Sequence, residues 1–147
     1  MVSFADDEVI PIKELVELYS AAGWIRSAAD PDQLARSVDR STYVVTARDG
    51  DGALVGLTRC LSDEVAVMYL QEILVHPDHD RPAIASILVQ RCLSHHQHVR
   101  QKFALVDQAH LGSEFYESHG FRNIEQLGSL DLSTFIQFDG VDEISDT

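Results

Sequence analysis

The stretch Tyr69-Leu-Gln-Glu-Ile-Leu-Val-His-Pro-Asp-His-Asp-Arg-Pro-Ala-Ile-Ala-Ser-Ile-Leu-Val-Gln-Arg-Cys-Leu93 decides how this chain is read. An apolar run breaks at Pro77, a short polar loop follows, and from about Ala83 to His95 the residues Ile84, Ile87, Leu88 and Cys92 recur on one face of a helix. A strand, a loop and a helix in that order present backbone N–H groups and a helix N-terminus to an anion. The stretch therefore reads as a seat for a phosphorylated cofactor.

Working outward, Val65 to Val75 is long for one strand and suggests a bulge. Upstream, Thr42–Arg48 and Ala53–Leu61 are strand-like and flank the hairpin turn Asp49-Gly-Asp-Gly52. Earlier still, Ile12, Leu15, Val16, Leu18, Tyr19 and Ala22 sit at helical spacing, with Gly23 placed for a left-handed cap. Asp30-Pro31 reads as an N-cap followed by proline at the first helical position. Downstream, Lys102–Asp107 is a short apolar strand separated from the preceding strand only by a helix, which predicts a parallel pair with a right-handed crossover. Gly112 to His119 reads as a short helix ending at Gly120, Phe121–Glu125 starts a strand, and Leu127–Phe138 alternates weakly as a last strand. The acidic, turn-rich 139–147 is expected to fray.

A chain of 147 residues with 45% hydrophobic and 24% charged residues forms one globular domain, here residues 1–138. A formal charge of −13 repels polyanions, so neither nucleic acid nor an anionic membrane surface is an expected partner, whereas a cationic amine is favoured. No segment has transmembrane length or a secretory pattern, so a cytoplasmic location is expected. Cys60 and Cys92 make neither a zinc site nor a disulfide framework and read as small core residues. His95-His-Gln-His98 falls at a helix end, where cationic groups complement the dipole, and no acidic residue stands at ligand spacing nearby. No metal is expected. Nucleophile-elbow, Walker and dinucleotide motifs are absent.

The opening stretch resembles the cofactor-binding segment of the GNAT superfamily of acetyl-CoA-dependent N-acetyltransferases, Val-x-Pro-x-(aromatic)-(Gln or Arg)-x-x-Gly-x-(Gly or Ala)-x-x-Leu. Val75, Pro77, Ala85 and Leu88 match it, while His79, Asp80 and Ala83 replace the aromatic residue, the Gln or Arg, and the first Gly. Phe115-Tyr-Glu-Ser-His-Gly-Phe121 resembles the family's second signature, and Leu18-Tyr-x-x-x-Gly-Trp24 and Arg59-Cys-Leu-Ser-Asp63 look like one bacterial branch of it. The resemblance implies an α/β GNAT-like fold, with a central mixed, mostly antiparallel sheet flanked by helices.

It also implies roles. Tyr116 matches the tyrosine that protonates the departing CoA thiolate, a role that suits a positioned phenol. Glu72 and Asp107 are candidate bases for the acceptor amine. Backbone groups of Ile73, Leu74 and Val75 would pair the pantetheine arm as an added strand. The pyrophosphate would lie over Asp80, Arg81, Pro82, Ala83, Ile84, Ala85 and Ser86. The implied co-substrate is acetyl-CoA, and the implied partner is a small-molecule or peptide amine acceptor, with a second copy of the chain left open. A departure at three loop positions leaves a second reading: a GNAT-like binding or regulatory module with lost or reduced CoA affinity. A third is transfer of a different acyl group.

Overall fold

The computed structural model describes residues 1–138, so the acidic stretch 139–147 lies outside the described residues. The described residues form two compact units, 1–105 and 106–138.

The first unit is a five-stranded sheet in the order β1 (Ser3–Asp6), β2 (Tyr43–Arg48), β3 (Leu54–Ser62), β4 (Val67–Val75) and β5 (Gln101–Ala104). Three pairings are antiparallel, and β4 with β5 is parallel, as expected from the helix that alone connects them. Strand β1 was not anticipated, because Ser3-Phe-Ala-Asp6 is too short to show a period.

Helix α1 (Ile12–Ala21) buries Leu15, Leu18 and Tyr19 at three- and four-residue spacing. It ends as the sequence predicts: Gly23 takes φ +91°, Gly23 N–H donates to Ser20 O, and Trp24 N–H donates to Tyr19 O at 2.8 Å. A one-turn α2 (Ile25–Ala28) follows, then α3 (Pro31–Asp39), whose N-cap Asp30 accepts from Gln33 N–H at 3.1 Å. These helices cover one sheet face through Leu34, Val38, Val44, Leu57 and Leu74.

Helix α4 (Arg81–His95) packs on β2, β3 and β4 with Ile84, Ala85, Leu88, Val89 and Cys92 buried. Its approach to β3 is set by Gly56, where an added Cβ would lie 3.1 Å from both Ala47 Cβ and Ile84 Cγ2. The expected bulge is present. Arg59 pairs with Glu72 and Cys60 with Leu70, which leaves Gln71 as the extra residue of β4.

Two expectations about the sulfurs and the end of the chain need correcting. Cys60 and Cys92 are fully buried, yet they are joined by a disulfide across 32 residues. Strand alternation turns Cys60 toward the face on which α4 presents Cys92, a meeting that spacing alone does not reveal. In the second unit, α5 (Ser113–Ser118) and its left-handed Gly120 follow the sequence reading. The strand expected at Phe121–Glu125 is instead a 3₁₀ turn at Ile124–Gln126, because the Asn123 side chain takes the Glu125 N–H that a ladder would need. No strand forms over Leu127–Phe138, where Leu130 N–H turns back to Leu127 O and Leu130, Leu132, Phe135 and Ile136 stay exposed.

Candidate active site

Pairing between β4 and β5 covers only Val67–Leu70 against Gln101–Ala104. Strand β4 runs on to Val75, with Ile73, Leu74 and Val75 in register opposite Thr58, Leu57 and Gly56 of β3 on one edge. The other edge of that segment extends past the end of β5. Bulged Gln71 sits where the parallel pairing stops, in keeping with the tendency of a bulge to bend a strand.

Beyond Val75 the chain turns through Pro77-Asp78-His79 and enters α4 with Asp80 as N-cap. Here the protein satisfies most of its own donors. His79 N–H bonds His76 O, Asp78 N–H bonds His76 Nδ1 at 3.2 Å, and Ala83 N–H bonds Asp80 Oδ1 at 3.1 Å. Pro82 has no N–H. A carboxylate of this chain thus occupies part of the helix N-terminus that an anion would use. Of the other residues assigned to the seat, Ile84 and Ala85 point into the core, and Ser86 Oγ accepts from Gln90 Nε2 at 3.2 Å.

Glu72 is 6% exposed and held by two residues that the sequence had not tied to it. Its Oε2 accepts from the Tyr19 hydroxyl and from Arg59 Nε at 3.0 Å, and its Oε1 accepts from Arg59 Nη2 at 3.3 Å. Burial, then the Glu72 charge, push the Tyr19 phenol well above its ordinary range. Burial opposes the Arg59 charge, and the Glu72 carboxylate more than offsets it. Tyr19 reaches this cluster from the inward stripe of α1, and Arg59 is the cross-strand partner of Glu72. Both lie in the branch-like motifs of the sequence, the one signal that could have marked them. With both carboxylate oxygens engaged by the guanidinium and one also by the phenol, Glu72 holds α1 to the sheet as an electrostatic anchor. Glu72→Gln is expected to lower unfolding free energy by about 1.5–3 kcal/mol, read by urea denaturation, because the Arg59 charge loses its partner. A loss below about 0.5 kcal/mol would match an ordinary surface change and overturn this account.

In the second unit, Tyr116 lies on α5 with ring contacts to Phe115 and Phe121 at centroid distances of 5.3 and 6.1 Å. Burial, aided by the Asp107 charge, pushes its phenol up to about 12. Asp107 itself lies beyond β5, in a turn, where its Oδ1 accepts from Ala109 N–H at 2.9 Å. At the end of α4 the acidic residue absent from ligand spacing in the sequence is supplied by Glu64, 3.3 Å from His95 Nε2.

A mixed sheet whose one parallel pairing stops short of the end of β4, followed directly by a loop and a helix N-terminus, defines a GNAT-type acetyltransferase fold. Residues 6–138 match the family model of the acetyltransferase (GNAT) domain, and the chain belongs to that family. A GNAT-family acetyltransferase from Streptococcus pneumoniae TIGR4 superposes with a TM-score of 0.78 at 24% identity, over 95% of this chain and 98% of that one. Aminoglycoside 6'-acetyltransferase type Ii gives 0.66 at 19% identity over 84% of each of the two chains. A ribosomal-protein-alanine N-acetyltransferase from Brucella melitensis biovar Abortus 2308 gives 0.60 at 17% identity over 95% and 100%. At such identities the likeness is one of fold. No curated protein matches the sequence at a significant level. Among the described residues no helix is long and apolar enough to cross a membrane.

Proposed function

We propose that the protein transfers an acetyl group from acetyl-CoA to an amine. The reading is supported chiefly by the edge of β4 at Ile73–Val75, which extends beyond the end of β5 and suits pairing with the amide-bearing pantetheine arm. In the reaction the acceptor nitrogen bonds to the thioester carbonyl carbon and the carbon–sulfur bond breaks. Tyr116 gives its proton to the departing sulfur, and water carries away the proton of the amine. The charge of −13 favours cationic acceptors. A second reading, a GNAT-fold module with reduced CoA affinity, is favoured by the Asp80 carboxylate seated on Ala83 N–H.

Thiol release from acetyl-CoA, measured against polyamines, aminoglycosides, amino acids and peptide N-termini, tests the first reading. The acceptors named for two structural neighbours, an aminoglycoside and a ribosomal-protein alanine, put both a small-molecule and a peptide amine in that panel. Turnover of at least one amine is expected. No turnover, together with CoA binding weaker than about 1 mM by calorimetry, would move the protein to the second reading.

A further inference from the structure

The C-terminal end of α4 carries a cluster that acetyl transfer does not use. His96 is fully buried, and its Nδ1 lies 2.8 Å from the carbonyl oxygen of Cys92. A carbonyl only accepts, so Nδ1 carries the hydrogen and the lone pair of the neutral ring lies on Nε2. That Nε2 is buried and has no hydrogen-bond partner. Backbone bonding at Nδ1 with a bare Nε2 is the arrangement in which metal-bound histidines are commonly held. Beside it, His95 Nε2 stands 3.3 Å from Glu64 Oε1, and ligand atoms of Glu64, His95 and His96 all fall within 4.8 Å of one another.

The carboxylate is brought there by a built loop. Asp63 Oδ1 accepts from the N–H groups of Val65, Ala66 and Val67, and His98 Nε2 donates to Glu64 O at 2.7 Å. Glu64 itself sits in left-handed backbone at φ +60°, which a non-glycine residue rarely adopts. The His95 ring stacks on Tyr43, with centroids 3.9 Å apart and planes 10° apart. Cys60 and Cys92 also lie near His96, but their sulfurs are bonded to each other and offer no thiolate.

We propose that Glu64, His95 and His96 bind one divalent transition-metal ion of the zinc class, tying the turn between β3 and β4 to the end of α4. Two imidazoles and one carboxylate suit zinc, cobalt or nickel better than magnesium or calcium, which prefer all-oxygen sites. Bonds of about 2.0–2.2 Å place tetrahedral ligand atoms about 3.5 Å apart, so rotation of the exposed Glu64 and His95 side chains closes the site around the ion. The exposed side leaves room for a water as fourth ligand. The His96 lone pair then gains the partner it lacks.

The test uses the untagged full chain with its disulfide intact, titrated with Zn²⁺ by calorimetry and with Co²⁺ by visible absorption. One ion per chain is expected, with a rise in Tm and the intense visible bands of four-coordinate cobalt. Because His96 is buried, Glu64→Ala and His95→Ala carry the comparison. Each is expected to weaken binding by at least the about 10- to 100-fold that follows loss of even an outer partner of a metal ligand. His76→Ala/His79→Ala, a histidine pair elsewhere on the chain, is expected to leave affinity unchanged. Equal affinity in wild type and His95→Ala, or loss of binding in the His76/His79 variant, would overturn the proposal. So would binding that survives Glu64→Ala and His95→Ala yet disappears in Cys60→Ser/Cys92→Ser, which would place the ion at the sulfurs. None of these outcomes depends on acetyl transfer.

Discussion

Tyr116→Phe is expected to lower kcat for acetyl transfer by about 10- to 1000-fold while leaving the KM for acetyl-CoA near its wild-type value. The substitution keeps the ring that packs on Phe115 and Phe121 and removes only the hydroxyl. With the phenol pushed up to about 12, Tyr116 is protonated throughout the neutral range and holds a proton to give. The departing CoA sulfur develops negative charge as the carbon–sulfur bond breaks, so a proton supplied at that point acts on the transition state and not on the bound ground state. That is why the loss falls on kcat. Steady-state kinetics with the best acceptor from the panel decides, and unchanged kcat would return Tyr116 to a packing role.

Asp80→Gln/Ala83→Gly is expected to tighten acetyl-CoA binding by about 10- to 1000-fold while lowering Tm. In the wild type the Asp80 carboxylate accepts the Ala83 N–H and sets a negative charge where the proposed pyrophosphate would lie. Like charges about 4 Å apart at a protein surface repel by about 4 kcal/mol before salt screening, and screening of this exposed group lowers the effect to about 1.4–4 kcal/mol. Removing the cap costs the helix about 1 kcal/mol, and glycine inside its first turn costs about as much again. Tighter binding on a less stable fold is a combination that general loosening of the protein does not produce. Calorimetry and thermal denaturation of both forms measure it. Tight wild-type binding that the double substitution fails to improve would show that Asp80 does not compete with the ligand.

The two predictions separate the competing readings. Restored CoA affinity accompanied by turnover identifies a transferase held back at its anion seat, whereas restored affinity without turnover identifies a binding module. Glu72→Gln has a different readout, stability, because its carboxylate is engaged by Tyr19 and Arg59.

Much of the first unit was legible in the sequence because its signals are local. Asp30 caps α3 through a hydrogen bond three residues away, Gly23 ends α1 through its own backbone angle, and the overlong run before Pro77 contains a bulge at Gln71. Each depends on a few adjacent residues and is settled before the chain folds back on itself. The strand, loop and helix around the candidate seat are of this kind, and so is the identity of Asp80 as the residue that departs from the family pattern. What Asp80 does there, taking the Ala83 N–H, is also local, but it became visible only once the helix began at Arg81, two residues earlier than the apolar spacing indicated.

Tertiary structure alone decided the rest. Tyr19 and Glu72 are 53 residues apart, Cys60 and Cys92 are 32 apart, and Glu64 meets His95 across 31. In the sequence Glu72 is an isolated carboxylate, the cysteines are separate core residues, and the histidines lack an acidic neighbour. Which of these groups meet depends on which sheet face each strand turns inward, where the Gln71 bulge shifts the β4 register, and how closely α4 approaches Gly56. The failed strands after Phe121 have the same origin in reverse, since a strand needs a partner edge as well as alternation, and Asn123 had already bonded the Glu125 N–H such a ladder requires. Periodicity and capping act over one or two turns of chain, whereas the chemistry of a buried cluster is fixed by pairings whose register no local rule contains.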